Sequence, residues 1–239
     1  MRILILAGVA VLAGCMPIGS DFIRPDATQL KLGATTRDQI LERYGAPRNE
    51  RSLQQSDAVQ AVAGSPFGVA PVSGTVSELR YYYENRMGEP VKEGVQPSKS
   101  ARFWFYDDKL VGYVSHSSFR ADSTVFEADK VSAVVPWKSV RADVVKLLGE
   151  PSGARVYPMT PRPGQEILTY FAFEFDRGAN ETRVKRFHVL IGVLGVVEEV
   201  RFDSSAKPIP PPPVTTPVYT VPPYIYTPPR SGSNRVLRR

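Results

Sequence analysis

The chain is 239 residues long, 42% hydrophobic and +6 in net charge, with 22 prolines and a single cysteine. Such a chain can bury one large core or two small ones, cannot form an internal disulfide, and has too many prolines for an even spread through one compact domain. The surplus charge sits at the C-terminal end, where Lys207, Arg230, Arg235, Arg238 and Arg239 meet no acidic residue. The remainder is therefore close to neutral, and a nucleic-acid footprint is not expected.

The N-terminus, "MRILILAGVAVLAGC", has one cation at Arg2, an apolar run from Ile3 to Ala13, and small residues before Cys15. It is too short for a membrane span, which needs about 20 apolar residues, and is built like a secretory signal. "LAGC" resembles the lipobox of bacterial lipoproteins. That resemblance implies recognition of Leu12, Ala13 and Gly14 by a signal peptidase. It also implies a diacylglycerol and an N-acyl chain (palmitate) on Cys15, with no other cofactor. Met16, rather than an aspartate, implies by the sorting pattern of such proteins an outer-membrane address on the periplasmic face. Residues 1–14 are expected to be removed and 15–29 to form a lipidated linker.

"LKLGATTRDQILERYGAP", Leu30 to Pro47, reads as a short helix. Thr35 or Thr36 supplies the N-cap, Gln39 closes a capping box, Gly45 is a left-handed C-cap, and Pro47 forbids continuation. About nine helical residues remain, a length that is marginal in isolation. The segment recurs at a constant offset of 104 residues as "VVPWKSVRADVVKLLGEP", Val134 to Pro151. Ser139 faces Thr35, Val144 faces Ile40, and Gly149 and Pro151 face Gly45 and Pro47. Each copy carries one apolar stripe.

Three strands are expected after each helix. In the first half they are "ELRYYYEN", "RFWFY" and "LVGYV", the last two joined about Asp107-Asp108-Lys109. In the second they are "EILTYFAFEFD", "RVKRFHVLI" and "GVVEEVRFD". Ser52 to Ala63 reads as a second helix, and Ala61 to Gly74, rich in small residues, as a loop. The expected fold class is α+β, with two tandem repeats, 30–119 and 120–205, of short helices packed on a three-stranded antiparallel meander. Residues 206–239, holding "KPIPPPPVTTPVYTVPPYIYTPPR", are expected as a basic Pro-rich tail, polyproline II or disordered.

A short helix written G-x-T-x-x-x-hydrophobic, ending in G-x-P and followed by a meander, resembles the BamE (SmpA/OmlA) lipoprotein family. Two such units in tandem are similar to the architecture of β-lactamase inhibitor protein. The first unit matches better, whereas the second has Trp137 in place of the pattern's glycine, so its loop is expected to bend differently. The resemblance implies a partner in outer-membrane protein assembly, such as the barrel assembly machinery, or a role in envelope integrity.

Reactive constellations are sparse. His116 and His188 have no second ligand at metal-binding spacing, and the pairs Asp107-Asp108 and Glu198-Glu199 point to opposite strand faces. No P-loop, G-x-G-x-x-G or G-x-S-x-G motif is present, so neither a metal nor an enzymatic activity is expected. The better candidate is a protein-binding surface of arginines among aromatics: Arg80, Tyr81, Tyr83, Arg102 and Phe103, with Arg183, Lys185 and Arg186 near Tyr170 and Phe187. The expected role is a lipid-anchored adaptor whose partner is an outer-membrane protein and whose Cys15 chains sit in the bilayer. Two alternatives stand beside it: a tether reaching peptidoglycan or anionic lipid through the basic tail, and an inhibitor-like module for an envelope enzyme.

Overall fold

The computed structural model describes residues 16–53, 66–70 and 74–209. Helix α1 (Arg37–Tyr44) precedes strands β1 (Asn49–Leu53), β2 (Val76–Glu84), β3 (Ser98–Tyr106) and β4 (Lys109–Ser117). Two 3-10 turns, Arg120–Asp122 and Ala128–Ala133, lead to helix α2 (Arg141–Leu148). Strands β5 (Gly153–Val156), β6 (Glu166–Asp176), β7 (Glu181–Ile191) and β8 (Val197–Pro208) follow. All eight strands join one antiparallel sheet in chain order.

This overturns the expected fold of two tandem repeats, each of short helices on a three-stranded antiparallel meander. Each half contributes four strands, and the halves share one continuous sheet. The missed strands are β1 and β5. "NERSL" shows no apolar alternation, because β1 lies at the sheet edge, where no buried face demands one. β5 has only four residues and begins "GA". It fits between β4 and β6 because Gly153 lacks a Cβ, which would collide with the Tyr113 carbonyl and the Val114 backbone. Ser52 and Leu53 belong to β1 instead of a helix, and the rest of that proposed helix lies outside the described residues. The tail also begins later than expected: β8 continues through Pro208, pairing Ala206 with Arg183 and Lys207 with Thr182. Residues 210–239 lie outside the described residues.

The duplication is visible bond by bond. Thr36 caps α1, its hydroxyl accepting from Gln39 N at 3.3 Å while Gln39 Oε1 accepts from Thr36 N at 2.9 Å. Thr35 and Ser139 serve a different purpose, accepting from the backbone N–H of Lys31 and Val135, each at 3.0 Å. Gly45 N and Gly149 N close the helix ends onto Leu41 O (2.9 Å) and Val145 O (2.8 Å). In both halves a strand tyrosine donates to the C-cap carbonyl: Tyr81 to Gly45 at 3.0 Å and Tyr170 to Gly149 at 2.9 Å. Ile40 and Val144 are fully buried on the same side of the sheet. Burying each contributes roughly 1.5–3 kcal/mol, which holds helices too short to persist alone.

Trp137 does not change the course of its loop. It takes the same left-handed backbone as Gly33, φ 63° against 79°. Trp137 N donates to Val197 O at 2.8 Å, as Gly33 N donates to Leu110 O at 2.7 Å. The second repeat therefore keeps the geometry and accepts strain of about 1–3 kcal/mol at an exposed tryptophan.

The segment after Cys15 is built into the first half. Ile18 pairs with Glu84, and Phe22 is buried against Tyr44 and Tyr81. The Lys99 ammonium lies 5.4 Å from the Phe22 and Tyr83 rings and 5.5 Å from Phe119, and pairs with Asp21 at 2.5 Å. Among the described residues no helix is long and apolar enough to cross a membrane.

Urea denaturation tests both features. Tyr81→Phe and Tyr170→Phe should each lower stability by about 1 kcal/mol, since the C-cap carbonyl loses its donor. Trp137→Gly should raise it by about 1 kcal/mol through relief of strain, and a lowered midpoint would show that the indole is held by contacts instead.

Candidate binding face

The helices lie on one face of the sheet, here the helix face, and alternation sends every second side chain to the far face. Leu79, Tyr81, Tyr83, Ala101, Phe103 and Phe105 belong to the helix-face core with Tyr44, Ile40 and Val144. Tyr81, Tyr83 and Phe103, expected at a binding surface, are thus core side chains, between 0% and 8% exposed. Tyr170 and Phe187 share that core. Arg183 is also on the helix side, at the outer end of the β6–β7 hairpin, where it pairs with Asp176 at 2.9 Å and with Glu181. Arg80, Arg102 and Arg186 point the other way. The sequence set therefore splits between two faces, and only its arginines reach the far one.

The aromatics that accompany those arginines are different ones. Tyr82 and the alternate β6 residues Phe171, Phe173 and Phe175 lie half-buried on the far face. Guanidiniums sit over several of them: Arg48 is 5.2 Å from the Tyr82 ring, Arg186 5.4 Å from Phe171, and Arg177 5.6 Å from Phe175. A phase count along β6 finds this row once the helix-facing phase is known.

Arg80 and Arg102 are direct cross-strand partners of β2 and β3, an arrangement of like charges that disfavours pairing. Glu78 answers one of them. It is fully buried, and its Oε2 accepts from Arg80 Nε at 2.7 Å. Arg102 makes no ion pair among the described residues. Burial lowers its proton affinity most, with Arg80, Arg186 and Arg51 adding to the effect and Glu78 opposing it.

Arg155 is the residue that sequence reading passed over. Its strand, β5, was not anticipated, and a lone arginine in "SGARV" carries no signal. It is 3% exposed and lies over the Trp104 ring, 5.0 Å from guanidinium carbon to ring centre. Gly112, between them in the register, makes this possible: a Cβ there would stand 3.0 Å from Arg155 Cγ and 3.3 Å from the Trp104 ring. Arg155 Nε and Nη1 and Trp104 Nε1 are buried donors without an acceptor. Burial, reinforced by the nearby Arg102 charge, pulls the guanidinium down to about 10, still charged at neutral pH.

The two histidines occupy the same face and are buried. His116 Nδ1 accepts from Phe173 N at 3.3 Å, bonding β4 to β6 just before β5 begins at Gly153. His188 Nδ1 lies 3.1 Å from Thr169 Oγ1. Burial pushes both down to about 3, with Arg155 and Arg186 adding to the effect at His188. Among the described residues no group of three His, Cys, Asp or Glu could hold a metal ion. Cys15, Leu12, Ala13 and Gly14 lie outside the described residues.

No family model and no curated protein matches the chain. The BamE likeness accordingly rests on the short motif alone. Among solved structures the chain is similar to a proposed β-lactamase inhibitor protein from Streptococcus mutans, with 11% identity over 74% of this chain and 91% of that chain. The TM-score is 0.38, and a superposition that loose carries no argument about this protein.

The buried histidines give a pH dependence with a definite sign. Between pH 6.5 and about 3 the unfolded chain binds protons at His116 and His188 that the folded chain excludes. Stability is therefore full above pH 6.5 and falls with pH, by up to about 1.4 kcal/mol per unit for each histidine. Melting temperatures between pH 7 and pH 5, above the range where carboxylates titrate, should drop, and His188→Gln should flatten the slope. A variant as steep as the parent would show that His188 titrates normally.

Proposed function

We propose that this chain is a lipid-anchored binding protein, an adaptor that engages a protein partner through the far face of its sheet. The observation that carries this reading is the composition of that face: half-buried Tyr82, Phe171, Phe173 and Phe175 interleaved with Arg80, Arg102 and Arg186. Aromatics and arginines dominate binding hot spots. Guanidiniums remain charged at neutral pH, which suits them to binding and not to proton transfer.

The anchor would be short. Ile18, the residue that pairs with Glu84, is three residues beyond Cys15. An acylated Cys15 would then hold the folded body within roughly 10 Å of the bilayer surface. Confinement at that distance raises the effective concentration of any co-anchored partner, so intrinsic affinity can be modest. The lipobox and the helix motif favour an outer-membrane site and a role in protein assembly or envelope integrity.

A photo-crosslinking side chain placed at Phe173 should capture a discrete partner in intact cells, and one placed at exposed Glu42 on α1 should not. Equal capture from both positions, or none from Phe173, would remove the far face as the working surface.

A further inference from the structure

Buried polar atoms on the far face lie without hydrogen-bond partners. Arg155 Nε and Nη1 and Trp104 Nε1 are sequestered from solvent and unpaired. Beside them Arg102 has no carboxylate within ion-pair distance among the described residues. Glu78, the acid whose charge acts on Arg102, stands across from Trp104, accepts from Arg80 through Oε2 and keeps a buried Oε1 without a donor. It is not free to swing to Arg102 or Arg155 as an ion-pair partner in this arrangement. Desolvating a guanidinium without a counter-charge is expensive, and a carboxylate brought by a ligand would offset that cost. The absence of a Cβ at Gly112 keeps room for Arg155 to lean across β4 onto Trp104.

We propose that Arg102 and Arg155, framed by Trp104, form a carboxylate slot that receives an acidic side chain from an extended segment of the partner. The proposal rests on the adaptor reading and names the chemistry of what the adaptor holds. Arg102, half-buried, makes the contact. Arg155, buried on the row that runs Glu78–Trp104–Gly112–Arg155, makes no ion pair among the described residues and adds its positive field, while the Arg102 fork suits a carboxylate's paired oxygens. A protein segment fits better than a bilayer. Arg102 is half-buried and Arg155 almost wholly so, so a protruding Asp or Glu can reach them where a flat layer of headgroups cannot. The charge pattern agrees, since the guanidiniums of Arg51, Arg80, Arg102, Arg155 and Arg186 act on this region, and the far-face carboxylates Glu78, Glu84, Glu199 and Asp203 are each engaged elsewhere.

The test uses full-length protein carrying Trp137→Phe, which leaves Trp104 as its single tryptophan. The probes are a synthetic peptide alternating Glu with Leu, its Lys counterpart, and phosphatidylglycerol vesicles. Trp104 emission should change and saturate with the Glu peptide alone, and the midpoint should rise with salt. Arg102→Gln should weaken that binding by about tenfold or more. Arg155→Met, which removes an unpaired buried cation at similar volume, should raise the melting temperature and abolish the peptide's effect on it. The slot is refuted if Glu and Lys peptides behave alike, if Arg102→Gln binds as the parent does, if vesicles alone perturb Trp104, or if Arg155→Met lowers the melting temperature. Should these fail while a crosslinker at Phe173 still captures a partner, the adaptor reading stands and only the carboxylate chemistry falls.

Discussion

The sheet depends on a joint four residues wide. A buried backbone must have its N–H and C=O groups paired, and Gly153–Val156 provides the pairs that carry the ladder from β4 to β6. Gly153 lets the three strands close up, and ahead of it, where β5 has not yet begun, the His116 ring bridges the gap by accepting the Phe173 N–H. Without this short strand each half would expose an unpaired edge. With it, both helices are committed to one face and the opposite face becomes a single surface drawn from both halves.

That division governs the electrostatics. The body is almost neutral, yet its charges are not mixed. Arg183 is balanced by Glu174, Asp176 and Glu181 on the helix side, whereas on the far side arginines outnumber their partners and one of them is buried. The duplication contributes to both outcomes. Each repeat brings the same helix, the same tyrosine-to-C-cap hydrogen bond, and a bulge at the same place, Val111 in β4 and Glu198 in β8. Among the far-face arginines only Arg51 and Arg155 correspond, 104 residues apart and third in β1 and in β5. Arg80 and Arg102 come from the first half, and Arg155 and Arg186 from the second, so the far face draws its charge from both halves.

Much of this was legible in the chain and some was not. Thr36, Gln39, Gly45 and the echo of that helix 104 residues later are local patterns, and the structure realises them closely. Arg80 and Arg102 were identified together with aromatics that turn out to be core, because Tyr81, Tyr83 and Phe103 have the composition of a hot spot and also that of a buried sheet face. Arg155 was invisible. Nothing around it in sequence hints that Gly112 and Trp104, more than 40 residues away, will receive it. The bulge at Val111 also breaks simple parity, placing Leu110 and Tyr113 on the same face although they are three residues apart.

The sequence by itself determined where helices start and stop, where hairpins turn, and that the fold would be built twice, because those outcomes depend on interactions within about four residues. Alternation also told which strand residues share a side. Only the tertiary structure decided how many strands each half would lend, that the halves would merge into one sheet, and which side the helices would cover. Those choices rest on pairings between distant segments, where a four-residue strand or a missing Cβ outweighs any local preference.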